Sequence, residues 1–330
     1  MEVRVAMVLA AGRGRRMRPL SDVLPKPALP VLDRPVVRWA LEQAAAAGVG
    51  RVVVNTWHLA PLMESAVEEG VPPGLDVSFS REPELMGGAG GLALARDRGL
   101  LGREGPVLVI NGDGLVDLDL GPLLERHRSA GDLVTLALLP HPEPTRWSRV
   151  LLDGRGAVER ILPPGHPGRG ETPRLYPGVM LVARRALEAL PSGPGETGEL
   201  LWSPALERGR LGGAEVAGRW AEVGTPGDYL RVVLEALPAR GWIHPSAVVE
   251  PGAVVERSMV GPGVRLETGA RLVRSVAGHG AVVRRGATVV ESVLLGAVEA
   301  GPGELLEGET RAAPPGGEGG GSRPAPVVRR

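Results

Sequence analysis

The chain has 330 residues, 38 basic and 38 acidic side chains, and no cysteine. Zero net charge points away from nucleic acid or an anionic membrane as a partner, and the absence of thiols excludes disulfide and thiolate chemistry, which suits a cytoplasmic protein. No apolar run approaches the ~20 residues that span a bilayer, and Met1 runs almost directly into a strand-like segment with no signal-peptide pattern.

That first segment, Val3 to Val8, is short, apolar and β-branched, as a buried strand should be. Gly12 and Gly14 arrive as it ends. A chain leaving a strand through such a turn can bring its N–H groups close to a phosphate, because no Cβ blocks the approach. Arg13, Arg15, Arg16 and Arg18 crowd positive charge around the same turn. Pro25-Lys26-Pro27 follows, with the prolines restricting the backbone on both sides of Lys26. Lys26 is the only lysine in the chain. Its compact point charge can reach a single oxygen in a way that a planar guanidinium cannot.

Further along, Pro35 sits where a helix would begin, Val36 to Ala47 is rich in Ala and Leu, and Gly48 is placed to stop it. Arg51–Asn55, Leu75–Ser80 and Pro106–Asn111 read as three more strands. Strands alternating with helices to about residue 237 predict an α/β domain with a Rossmann-like, mainly parallel sheet. Ligands of such sheets bind at the carboxyl ends of the strands, here Ala11–Gly14, Asn55–His58 and Asn111–Asp113. Near Trp242 short turn-rich units take over. Arg257-Ser258-Met259-Val260, Arg274-Ser275-Val276-Ala277 and Glu291-Ser292-Val293-Leu294 recur at a regular step, which predicts a parallel β-helix. The expected division is 1–238 for the α/β domain, 239–307 for the β-helix, and 308–330 for a disordered tail rich in Gly and Pro.

The stretch L-A-A-G-x-G-x-R-M-x-P-L-S from Leu9, followed by P-K-P-x-x-P-V to Val31, resembles the signature of the sugar-1-phosphate nucleotidyltransferases, also called NDP-sugar pyrophosphorylases. Competing phosphate motifs fit worse. A dinucleotide fingerprint wants a third glycine where Met17 stands, and a P-loop wants Gly-Lys directly after its glycines. The resemblance implies attack by a sugar 1-phosphate on the α-phosphorus of an NTP, with pyrophosphate leaving and Mg²⁺ present. It also implies a C-terminal left-handed β-helix, expected to pack copies of the chain into a homo-oligomer.

Carried over residue by residue, the resemblance assigns the triphosphate to Leu9, Ala10, Ala11, Gly12, Arg13, Gly14 and Arg16. It places Gly112 among the nucleotide-binding residues, Lys26 near the transferred phosphoryl group, and Asp113 as a Mg²⁺ ligand. The base falls to Gly87 and Gly88 in a glycine-rich loop, with Ala89 opening a helix towards Arg98. The sugar falls to Gly178 and Glu199, with Glu196 close enough to confuse the latter. Departures stand at four places: Arg15 and Gly88 where the family has threonine, Arg160 where it has lysine, and Glu222 where an aspartate is the second Mg²⁺ ligand. The A-A-G start, R-M-R-P-L-S and Asn55-Thr56-Trp57-His58 lean towards GTP and mannose 1-phosphate; uridylyl or thymidylyl transfer to another sugar stays open. Two readings from other classes compete. In one, Glu222, Gly88 and Arg160 mark a non-catalytic subunit that binds NDP-sugars. In the other, the β-helix is an assembly scaffold.

Overall fold

The computed structural model describes residues 2–166, 172–314 and the strand Val328–Arg329. The chain falls into two compact units: one of Met1–Gly12 with Val37–Ala221, the other of Arg13–Val36 with Glu222–Arg330.

The first unit is built on one mixed sheet. Its strand order is Val158–Leu162, Arg149–Leu152, Arg174–Leu175, Val134–Pro140, Val179–Val182, Val107–Asn111, Val5–Leu9, Arg51–Thr56 and Asp76–Arg81, with Leu211–Glu215 added beside Val134–Pro140. The last four strands of that order are all parallel, as their spacing between helices predicts. Val179–Val182 then reverses the direction against Val107–Asn111. Val5, Met7, Val53, Val107 and Val109 are buried together with the helix residues Ala89, Leu92 and Ala93, so burial on the faces of the sheet fixes its register.

Boundaries differ from the sequence reading by a residue or two. The first strand is Val5–Leu9 and the third Asp76–Arg81. The first helix is Val37–Ala46. Pro35 does not open it; Arg34–Pro35 forms a small antiparallel pair with Pro30–Val31. Gln43 on that helix is buried and grips the strand Gly114–Leu118 twice. Its Nε2 donates to Leu118 O at 2.9 Å, and Leu118 N donates to its Oε1 at 2.7 Å.

The second unit contains the β-helix. Three parallel ladders carry the coils, beginning at Trp242–Ile243, Val248–Val249 and Val254–Glu256. Successive rungs pair Trp242 with Met259, Met259 with Val276, and Val276 with Val293. The Arg-Ser repeat read in the sequence marks one corner of each coil. Arg257, Arg274 and Glu291 turn there with φ of 42°, 46° and 46°. The serine that follows satisfies the next coil: Ser275 N donates to Ser258 Oγ at 3.0 Å, Ser292 N to Ser275 Oγ at 3.1 Å, and Glu309 N to Ser292 Oγ at 3.0 Å. Val264, Leu266, Leu272, Val283 and Val289 fill the interior. The coils run past residue 307, because Glu309–Ala313 pairs in parallel with Val293–Gly296. Most of the expected tail, residues 315–327 and 330, lies outside the described residues.

Candidate active site

In the first unit, Leu9 is level with Asn55 on one side and Asn111 on the other, so three strands end together. A chain of hydrogen bonds organises that edge. Ala10 N donates to Asn55 Oδ1 at 2.7 Å, Asn55 Nδ2 donates to Glu82 Oε1 at 2.7 Å, and Met86 N donates to Glu82 Oε2 at 3.0 Å. The start of the glycine turn and the start of the helix Gly87–Asp97 are thereby held by one buried carboxylate. Burial pushes the Glu82 carboxyl above its ordinary 4.5, opposed by the Met86 N–H and the Asn55 amide. Sequence reasoning missed Glu82. It follows a strand with no motif around it, and only its distance to Asn55 reveals its part.

Gly112 and Gly178 are close-approach positions. Gly112 N donates to Leu9 O at 2.9 Å, and a Cβ on Gly112 would stand 2.9 Å from Val8 Cγ1. Gly178 has φ 89°, accepts from Asn111 N at 2.8 Å, and leaves no room for a Cβ against Asn111. Ala10, Gly112, Asp113 and Gly178 therefore lie around the same strand ends. The expected base loop is in fact mostly helix: Gly87 to Gly91 form the opening of Gly87–Asp97, two residues earlier than Ala89. Ala89 N and Gly90 N both donate to Gly195 O, at 3.1 and 3.0 Å. Glu199 is exposed on the π-helical turn Gly198–Trp202, whereas Glu196 reaches back towards Gly87, 3.0 Å from where its Cβ would stand.

In the second unit, Gly14 turns with φ 61° and starts the 3-10 turn Arg15–Met17. Ser21 Oγ donates to Gly14 O at 2.9 Å, and the Lys26 Cβ is 3.4 Å from where a Cβ on Gly14 would be. Lys26 is buried at the head of the 3-10 turn Lys26–Ala28. Burying an ammonium is costly unless a counter-charge or a ligand answers it, so this segment has folded around one cation. Arg16 is exposed and meets Glu222, Nη2 to Oε1 at 3.2 Å. The carboxylates of Glu222 and Asp228 both crowd Gly224, with oxygens 2.9 and 3.1 Å from its would-be Cβ. Thr225 caps the helix Pro226–Ala236, its Oγ1 accepting from Asp228 N at 3.2 Å and donating to Asp228 Oδ2 at 2.8 Å. Glu222, at the end of the strand Gly218–Glu222, is the carboxylate of the pair that meets Arg16.

A hard dication held partly by phosphate oxygens needs only one or two protein carboxylates. Asp113 in the first unit and Glu222 in the second are each carboxylates of that donor type, and among the described residues there is no cluster of three or more His, Cys, Asp or Glu that could hold a metal ion. No helix among them is long and apolar enough to cross a membrane.

Residues 5–237 match the model of the nucleotidyl transferase family. The chain is 31% identical over 270 residues to a mannose-1-phosphate guanylyltransferase of Mycobacterium tuberculosis, covering 76% of this chain and 72% of that one. It is 33% identical over 227 residues to the N-acetylmuramate alpha-1-phosphate uridylyltransferase of Neisseria meningitidis, covering 67% and 93%. Among solved structures, HddC from Yersinia pseudotuberculosis superposes with a TM-score of 0.59 at 21% identity, covering 71% of this chain and 99% of that one, which shows the fold alone. With its glycine turn, strand-end aspartate and P-K-P lysine inside the matched span, the chain belongs to the nucleotidyl transferase family.

Proposed function

We propose that the protein transfers a nucleotidyl group from an NTP to a sugar 1-phosphate, with GTP and mannose 1-phosphate as the favoured pair. The observation that carries this reading is the level ending of Leu9, Asn55 and Asn111, with Ala10 tied to Asn55 and Gly112 tied to Leu9. That edge is where an open α/β sheet receives its ligand. The similarity to the Mycobacterium guanylyltransferase supports the favoured substrates, and the Neisseria uridylyltransferase keeps uridylyl transfer as the alternative.

In the reaction, an oxygen of the sugar phosphate forms a bond to the α-phosphorus as the bond to the pyrophosphate oxygen breaks. The attacking oxygen is already ionised, so no general base is required. The work is positioning and charge neutralisation. Backbone N–H groups from Leu9 to Gly14 and the Arg16 guanidinium hold the triphosphate. Lys26 neutralises the phosphoryl group in transfer, Gly87 and Gly88 receive the base, and Gly178 and Glu199 receive the sugar. Asp113 and Glu222 would hold Mg²⁺, which when bound neutralises phosphate charge. Binding would require Glu222 to exchange its contact with Arg16 for the metal. The domain boundary at 238 belongs to the same reading.

The test is pyrophosphate release with Mg²⁺ across GTP, UTP, dTTP, CTP and ATP against mannose, glucose, N-acetylglucosamine and heptose 1-phosphates. One productive pair is expected, with Lys26→Ala and Asp113→Ala each lowering turnover by roughly 10²-fold or more. Turnover that survives both substitutions would overturn the site. A silent grid with tight binding of an NDP-sugar would instead mark a binding subunit, and Glu222→Asp would then show whether one methylene is responsible.

A further inference from the structure

The helix Gly87–Asp97 opens on consecutive glycines, and the room a side chain on Gly88 would need is already occupied. A Cβ built on Gly88 would stand 2.1 Å from Thr197 Oγ1, 3.4 Å from Thr197 Cβ and 3.6 Å from Leu9 Cδ1. The Thr197 hydroxyl thus fills the gap beside the first turn of this helix, next to the strand that leads into the glycine turn.

The segment that leads to Thr197 is tied to the start of the helix by backbone bonds. Gly195 N donates to Met86 O at 2.8 Å while Gly195 O accepts from Ala89 and Gly90. Cβ atoms on Gly87 and Gly90 would stand 2.6 Å from Gly195 O and from Gly193 O. Two glycine-rich segments are laid directly against each other, and the main-chain bonds at Gly195 anchor the chain two residues before Thr197. Thr197 precedes the turn Gly198–Trp202 with helical backbone, φ −57° and ψ −41°, so its hydroxyl is not drawn into a capping bond. A hydroxyl both donates and accepts, and this one is left to do so at the subsite assigned to the nucleotide.

We propose that Thr197 contacts the substrate, its hydroxyl bonding the nucleoside of the bound triphosphate from the position it occupies beside Gly88. The inference rests on the nucleotidyl-transfer reading. It makes Gly88 and Thr197 a linked pair, in which a side chain at one position demands a small residue at the other.

The experiment uses the full chain. Nucleotide binding by calorimetry with GTP, UTP, dTTP, CTP and ATP, together with steady-state kinetics, compares wild type with Thr197→Val, Thr197→Ser, Gly88→Thr and the double variant Gly88→Thr/Thr197→Gly. Thr197→Val is isosteric and should weaken binding of the preferred NTP and raise its KM by about tenfold. The KM for the sugar 1-phosphate and the melting temperature should stay unchanged. Thr197→Ser should remain near wild type. Gly88→Thr alone should lose nucleotide binding to the clash, and the double variant should recover much of it. An unchanged NTP affinity in Thr197→Val, or an equal rise in both KM values, would overturn the assignment. If wild type binds none of the five nucleotides, the nucleotidyl-transfer reading itself falls. If wild type binds and Thr197→Val binds equally well, only the assignment of Thr197 falls.

Discussion

Glu82 is a carboxylate held against its own desolvation. It accepts from Asn55 Nδ2 and Met86 N, and burial still leaves its pKa above the ordinary 4.5. A carboxyl that binds its proton more tightly in the folded chain makes stability fall as pH rises from about 4.5 through the folded pKa, and level off above it. Glu82→Gln removes that slope, so its unfolding free energy, read from urea denaturation between pH 4.5 and 8, should lack the wild-type decline. The variant should also be less stable by about 1–3 kcal/mol, with the gap widest at low pH, because an amide oxygen can accept from one N–H while the other is left buried and unpaired. Parallel pH curves would refute this account. Arg16 and Glu222 show the reverse relation between sequence and contact. Each stands in a recognisable motif, yet the ion pair they form links positions 206 residues apart.

At the scale of elements, the β-helix is held by a repeated serine. Ser275 Oγ donates to Val273 O at 2.7 Å and accepts from Ser292 N at 3.1 Å, and Ser258 and Ser292 make the equivalent bonds one coil away. Ser275→Ala would leave the Ser292 N–H without its acceptor inside the stack, and should cost about 1–3 kcal/mol in thermal or urea unfolding. Glu250, by contrast, is a half-buried carboxylate at the rim that pairs with Arg265 and accepts from Thr268 N and Oγ1, and Glu250→Gln should cost less than Ser275→Ala in the same unfolding measurement. Equal losses would show that the serine ladder is not the element that ties the coils. The regular step was visible because serine and the left-handed corner recur in the chain itself. Gly87 and Gly88 form the start of a helix rather than a loop, a difference that glycine hides because it signals a special backbone without saying which. Here the glycines give close packing of a helix against Gly193–Gly195.

At the scale of the molecule, the P-K-P segment belongs to the same compact unit as the β-helix. The turn Leu20–Asp22 lies beside the last coil, Glu309–Ala313, and Val23 Cγ1 sits 3.5 Å from where a Cβ on Gly296 would be. Truncation after Pro238 removes that support. It should lower turnover as well as any self-association, as measured by pyrophosphate release and size-exclusion chromatography. Full turnover in a truncated chain whose only change is a smaller assembly would leave the β-helix with an assembly role alone. The sequence by itself determined the family motif, the first four strands and first helix of the α/β domain to within a residue or two, the repeat, and the identity of the charged residues around the glycine turn. Glycine, proline and apolar periodicity act on the backbone within a few residues, so they can be read locally. Only the tertiary structure decided that Glu82 anchors both Asn55 and the helix start, that Thr197 fills the gap at Gly88, and that Arg13–Val36 belongs to the compact unit that holds the coils. Each of these is a contact between residues distant in the chain, made when burial and unsatisfied hydrogen-bonding groups bring separate segments together, and no local pattern records it.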